Sequence, residues 1–128
     1  MSKQIIRTEK APAPIGPYSQ AIKTSEFLFI SGQVGIDAAT NEVVTGGAAK
    51  EAEQVMKNLD AILKEANLNF LHVVKTTIFL SDMNLFAEVN DAYASFFNGD
   101  FPARETVAVK GLPKNVNVEI SMTAVVHL

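Results

Sequence analysis

Cysteine and tryptophan are both absent from the 128 residues. The first absence removes disulfides, thiolate nucleophiles and thiolate metal sites together. Long apolar runs are missing too: none approaches the roughly 20 residues that span a bilayer. Behind the polar start Met1-Ser2-Lys3-Gln4 there is no apolar segment, so no secretory signal is visible. Positive charge is scarce, with 11 Lys and Arg against 14 Asp and Glu, a net charge of −3 and a pI near 5.3. Those cations are scattered, whereas nucleic acids and anionic membranes select for a basic footprint. The expectation is a cytoplasmic protein with neither nucleic acid nor membrane as partner.

Specialised motifs are equally sparse. His72 and His127 are the only histidines, and neither has a carboxylate at metal-ligand spacing, so no metal site is expected. There is no nucleophile elbow and no phosphate-cradling glycine loop; Gly46-Gly47 reads as a helix entrance.

What remains is ordinary globular composition, 48% hydrophobic and 20% charged. The length fits one domain, residues 1–128. A chain of this size buries about two-thirds of its unfolded surface, enough for a core without staples.

Gln4 to Arg7 predicts a short first strand. Ala11 to Pro17 holds three prolines and a glycine, which rule out helix and central strand and demand a shaped loop. Ala21 to Thr24, a turn at Ser25-Glu26, and Phe27 to Ser31 predict a hairpin. Between Gly46 and Asn67 the apolar residues Ala52, Val55, Met56, Leu59, Ile62, Leu63 and Ala66 recur at helical steps, giving an amphipathic helix. Val73 to Leu80 is β-branched and aromatic, a strand expected to be buried on both faces. Asp82 caps a second helix over Met83 to Phe97, closed by Asn98-Gly99. Strands at Thr106 to Val109 and Val116 to Val126 complete the order β-β-β-α-β-α-β-β. Helices on one face of a mixed sheet make a two-layer α+β sandwich. In the last strand Asn117, Glu119, Ser121, Thr123 and Val125 share the second face, which is only half polar. Such a face invites self-association.

Candidate chemistry starts with Arg104, held between Pro102 and the following strand. A guanidinium fork matches a carboxylate through two parallel hydrogen bonds; the same spacing also fits a surface arginine or one paired with Glu105. Glu119, flanked by Val118 and Ile120, is either a partly desolvated acid–base group or a solvent-facing strand residue. Tyr18 offers a phenol to a ligand or buries a satisfied hydroxyl. Ser31-Gly32-Gln33 presents backbone N–H groups to an oxyanion or forms a tight turn. Asn90, beside the stripe Phe86, Val89, Tyr93 and Phe97, reaches a ligand or a neighbouring loop.

Taken in order, Pro14-Ile15-Gly16-Pro17-Tyr18-Ser19-Gln20-Ala21, Phe29-Ile30-Ser31-Gly32-Gln33, Val74-Lys75-Thr76-Thr77, Val89-Asn90-Asp91-Ala92-Tyr93, Phe97, Pro102-Ala103-Arg104, Leu112-Pro113 and Val118-Glu119-Ile120 closely resemble the RidA (YjgF-type) family of imine deaminases. The resemblance covers nearly the whole chain. It implies a chorismate-mutase-like fold and a homotrimer with three clefts between subunits. It further implies hydrolysis of 2-aminoacrylate and 2-iminobutyrate-type products of pyridoxal-phosphate-dependent dehydratases, giving 2-oxo acids and ammonia without metal or organic cofactor. Arg104 matches the family's carboxylate-binding arginine and Glu119 the glutamate that positions the attacking water. Tyr18, Ser31, Gly32 and Asn90 match cleft positions. Thr106 departs from the pattern, standing at a pocket position where many members carry cysteine. The alternative within the same fold is a non-catalytic regulator that binds a 2-oxo acid or amino acid.

Overall fold

Helix α1 (Ala48–Glu65) forms where the apolar spacing predicts it, entered through Gly46 and Gly47. Both glycines have left-handed φ, 111° and 101°, a turn that side-chain-bearing residues resist. Val55, Met56, Leu59, Ile62 and Leu63 are fully buried along its inner face. Truncating one of these leucines to alanine costs about 2–5 kcal/mol.

The computed structural model describes residues 2–128. Around α1 lie β1 (Gln4–Ile6), β2 (Ala21–Lys23), β3 (Phe27–Val34), β6 (Val73–Leu80), β7 (Ala103–Ala108) and β8 (Val118–Val125). They make one sheet in the order β1-β2-β3-β8-β6-β7. All pairings are antiparallel except β6 with β7, which the crossover helix α2 (Phe86–Ala94) joins in parallel. Helix α1 packs on β3 and β8 and against α2, so both helices cover one face of a mixed sheet. This is the expected α+β layering. A separate short pair, β4 (Ile36–Asp37) with β5 (Glu42–Val43), was not anticipated; Asn41 turns between them at φ 61°.

The structure corrects four local expectations. Strand β6 is buried on one face only: Thr76, Ile78 and Leu80 point to the helices, while Thr77 and Phe79 are half-buried on the other side. Apolar composition alone cannot say whether a second layer is present. Strand β7 begins at Ala103 rather than Thr106, because parallel pairing with β6 starts as soon as Pro102 is passed. Asp82 does accept a hydrogen bond from Asn84 N–H at 2.8 Å, but the turn it caps is 3₁₀ over Met83–Leu85. The α-helix proper then ends at Ala94, well before Gly99. Finally, Ser31-Gly32-Gln33 is no turn: β3 runs through it with a bulge between Ile30 and Gln33.

Candidate active site

Arg104 lies within β7, directly across from Thr76 of β6. Thr76 faces the helices, and so does Arg104. Its guanidinium carbon sits 5.1 Å from the ring centroid of Tyr93 and 5.7 Å from that of Phe86. Asn90, Tyr93, Ala94, Phe101 and Pro102 surround it in an open recess of about 390 Å³. Among the described residues no carboxylate pairs with Arg104. Glu105 points the other way, as strand neighbours must, and bonds to Lys75 at 2.9 Å and to the Thr77 hydroxyl. Those two partners hold its carboxyl below the usual range, the Thr77 hydrogen bond contributing most. Glu105 is therefore spoken for, and the Arg104 fork is free.

Glu119 occupies the opposite side of the sheet. In β8, Val118, Ile120 and Met122 enter the core, whereas Glu119 lies across from Phe79 and Val34 with its side chain on the uncovered face. Half-burial raises the carboxyl pKa above the ordinary value, because desolvation penalises the charged form. Ile15, Tyr18, Ser31, Gly32 and Pro113 line the same open recess, about 330 Å³ in volume.

Local structure explains how these residues are held. Gln20 is buried beneath the proline-rich loop; its amide accepts from Thr8 N–H at 2.7 Å and donates to the carbonyls of Thr8 and Pro12 at 3.0 and 2.9 Å. That bracket fixes a segment with few backbone bonds of its own. Tyr18 folds back so that its hydroxyl accepts from Ile15 N–H at 3.3 Å, leaving the ring exposed. The Ser31 hydroxyl donates to the Ser19 carbonyl at 2.6 Å.

The expected site residues thus fall into two sets. Arg104 and Asn90 come together on the helix side of the edge strand. Tyr18, Ser31, Gly32 and Glu119 come together on the open face. Thr106 shares the Arg104 face but stands outside the recess, its hydroxyl shut away from solvent without a hydrogen-bond partner. Tyr93 and Phe101, both in the arginine recess, were not singled out beforehand. The signal for Tyr93 was a polar-tipped ring within an otherwise apolar helical stripe. No three His, Asp or Glu side chains among the described residues converge as a metal site.

The family model for endoribonuclease L-PSP matches residues 8–126. The chain belongs to this family. It is the RidA-type family whose motifs the sequence carries, and its solved members share the fold. A protein of the conserved Rid family from Yersinia pestis is 46% identical, with a TM-score of 0.94 over 98% of this chain and all of that one (100%). Mouse 2-iminobutanoate/2-iminopropanoate deaminase is 49% identical over 96% of this chain and 91% of its own length. TdcF of E. coli, solved with bound serine, is 36% identical with a TM-score of 0.91, covering 95% of this chain and 98% of that one.

Proposed function

We propose that this Rid-family protein is an imine deaminase, hydrolysing 2-aminoacrylate- and 2-iminobutyrate-type products of pyridoxal-phosphate-dependent dehydratases to 2-oxo acids and ammonia. The observation that carries the proposal is the free Arg104 fork on one face and the desolvated Glu119 carboxyl on the other. A 2-imino acid presents the two matching features, a carboxylate and an electrophilic C=N carbon beside it.

Arg104 grips the carboxylate in two parallel hydrogen bonds and fixes the reacting carbon. Glu119 accepts a proton from water as the oxygen attacks that carbon, then returns it to nitrogen. Collapse of the carbinolamine breaks the C–N bond and releases ammonia, its hydroxyl proton passing back through the carboxylate. Overall one water enters, and one 2-oxo acid and one ammonia leave. A raised pKa suits a group that must both take and give a proton.

Because Arg104 and Glu119 stand on opposite faces, one chain cannot close both around a substrate of a few carbons. Two copies can, if the arginine edge of one meets the open face of the next. That open face carries exposed Phe27, Phe29 and Val107, apolar surface suited to a partner. Head-to-tail contact closes as a ring when the rotation between copies divides a full turn, and the reading is a homotrimer with three clefts between subunits. Asn90, Tyr18, Ser31 and Gly32 complete the proposed cleft, and Thr106 backs it from beside Arg104 on the same strand face. Neither nucleic acid nor membrane enters this reading; the net charge of −3 favours neither.

Serine bound to the E. coli relative keeps the regulator reading in view, since serine carries a carboxylate and no imine. The deciding experiment is turnover of imine made in situ by a dehydratase. Arg104→Ala is expected to abolish the acceleration while the oligomer persists. Unchanged turnover in that variant sinks the assignment, and 2-oxo acid binding without any wild-type turnover favours the regulator.

A further inference from the structure

The guanidinium of Arg104 is held by rings rather than by an acid, and the two rings are not equivalent. Phe86 is 38% exposed and carries no tether. Tyr93 is 3% exposed, and its hydroxyl donates to Thr76 Oγ1 at 3.0 Å. Thr76 is itself fully buried and is the residue paired with Arg104 across the parallel β6–β7 ladder. Three links therefore close on themselves. Strand pairing ties the Arg104 backbone to Thr76, Thr76 ties the phenol, and the phenol's ring lies against the guanidinium. Phe97 braces the same ring from 4.9 Å.

We infer that Tyr93 is a positioning residue for Arg104, and that its bond to Thr76 sets the angle at which the guanidinium fork meets a substrate carboxylate. The inference rests on the proposed role of Arg104. Stacking leaves the in-plane N–H edges unspent, whereas a neighbouring Asp or Glu would occupy them. Burial also keeps the phenol neutral, its pKa pushed up mainly by desolvation, so the platform does not become an anion competing for the fork. A ring fixed at its far end restricts an otherwise flexible side chain before the ligand arrives.

Three variants separate this from a purely structural role. Tyr93→Leu removes the ring; Tyr93→Phe and Thr76→Val each remove one end of the same hydrogen bond. Losing a cation–π contact predicts that KM for in-situ imine and Kd for 2-oxobutanoate rise about fivefold in Tyr93→Leu. Both are expected to rise less in the other two variants, by equal amounts, and the double variant should be no worse than either. The kcat of folded protein should stay within about twofold. If Tyr93→Leu fails to fold, the hydrogen-bond pair carries the test through the non-additivity of KM and Kd. Lower melting temperatures with unchanged KM and Kd overturn the inference. Arg104→Ala run alongside tells the two failures apart. If it is fully active, the arginine reading falls and takes this one with it. If it is inactive while the Tyr93 and Thr76 variants bind normally, only the positioning role falls.

Discussion

The Glu119 carboxylate lies against the bare Cα of Gly32: a Cβ built there would meet Oε2 at 2.5 Å and Cδ at 2.8 Å. The β3 bulge brings this glycine under the acid, and only a residue without a side chain leaves the carboxylate where it is. Because the obstructed atoms are the far end of a flexible side chain, Gly32→Ala should displace the carboxylate rather than unfold the sheet. Misplacing an acid–base group by about 1 Å costs on the order of 10–100-fold. The expected result is a kcat/KM lower by that factor with a nearly unchanged melting temperature. Wild-type turnover in Gly32→Ala would separate Glu119 from the chemistry.

Glu119 also predicts a pH dependence of two kinds. To accept a proton from water it must be ionised, so kcat/KM should fall as pH drops through an apparent pKa above the ordinary 4.5. The stability effect has the opposite sense. A carboxyl whose folded pKa is raised lends stability that is fully present below the unfolded pKa and lost as pH rises through the folded one. At neutral pH the ionised group therefore costs stability, and Glu119→Gln should raise the melting temperature there. In buffer below the glutamate range the gain should vanish. Parallel melting curves across that range would contradict the assignment.

Mixing variants tests whether the cleft is shared. Arg104→Ala and Glu119→Gln homomers should each be inactive. Refolded together in equal amounts, they place an intact arginine opposite an intact glutamate in about one-quarter of clefts, given random closed rings. Activity should return to roughly that fraction of wild type. If both residues served from one copy, every cleft would carry a lesion and the mixture would stay silent.

The bracket formed by Gln20 has consequences for both stability and binding. Gln20→Leu leaves the Thr8 amide and the Thr8 and Pro12 carbonyls without their partner, and a buried orphan costs about 1–3 kcal/mol. Denaturant titration should show a loss of that order. Imine KM should rise as well, because Tyr18 rides on the loop that Gln20 secures. A loss of stability with unaltered KM would place Tyr18 outside the cleft.

Much of this was legible from residue order. The helical stripe of α1 spans 18 residues and leaves no other reading, and the alternation of Val118, Glu119, Ile120, Ser121 and Met122 put Glu119 opposite the core. The start of β7 was not legible, since Pro102 masks a strand whose pairing comes from a distant segment. The face occupied by Arg104 was hidden for the same reason. It follows from the Thr76–Arg104 register, and register belongs to the sheet rather than to either strand. Tyr93 looked like core because its ring is core; only its hydroxyl and the guanidinium above it show a second use.

On the proposed shared cleft, the separation of Arg104 from Glu119 by the thickness of a sheet would also govern when the protein acts. A chain leaving the ribosome would carry two chemically mute halves. Catalysis would begin at encounter, so output at low expression would grow more steeply than protein concentration. Dilution alone would switch it off, with every residue still correctly folded.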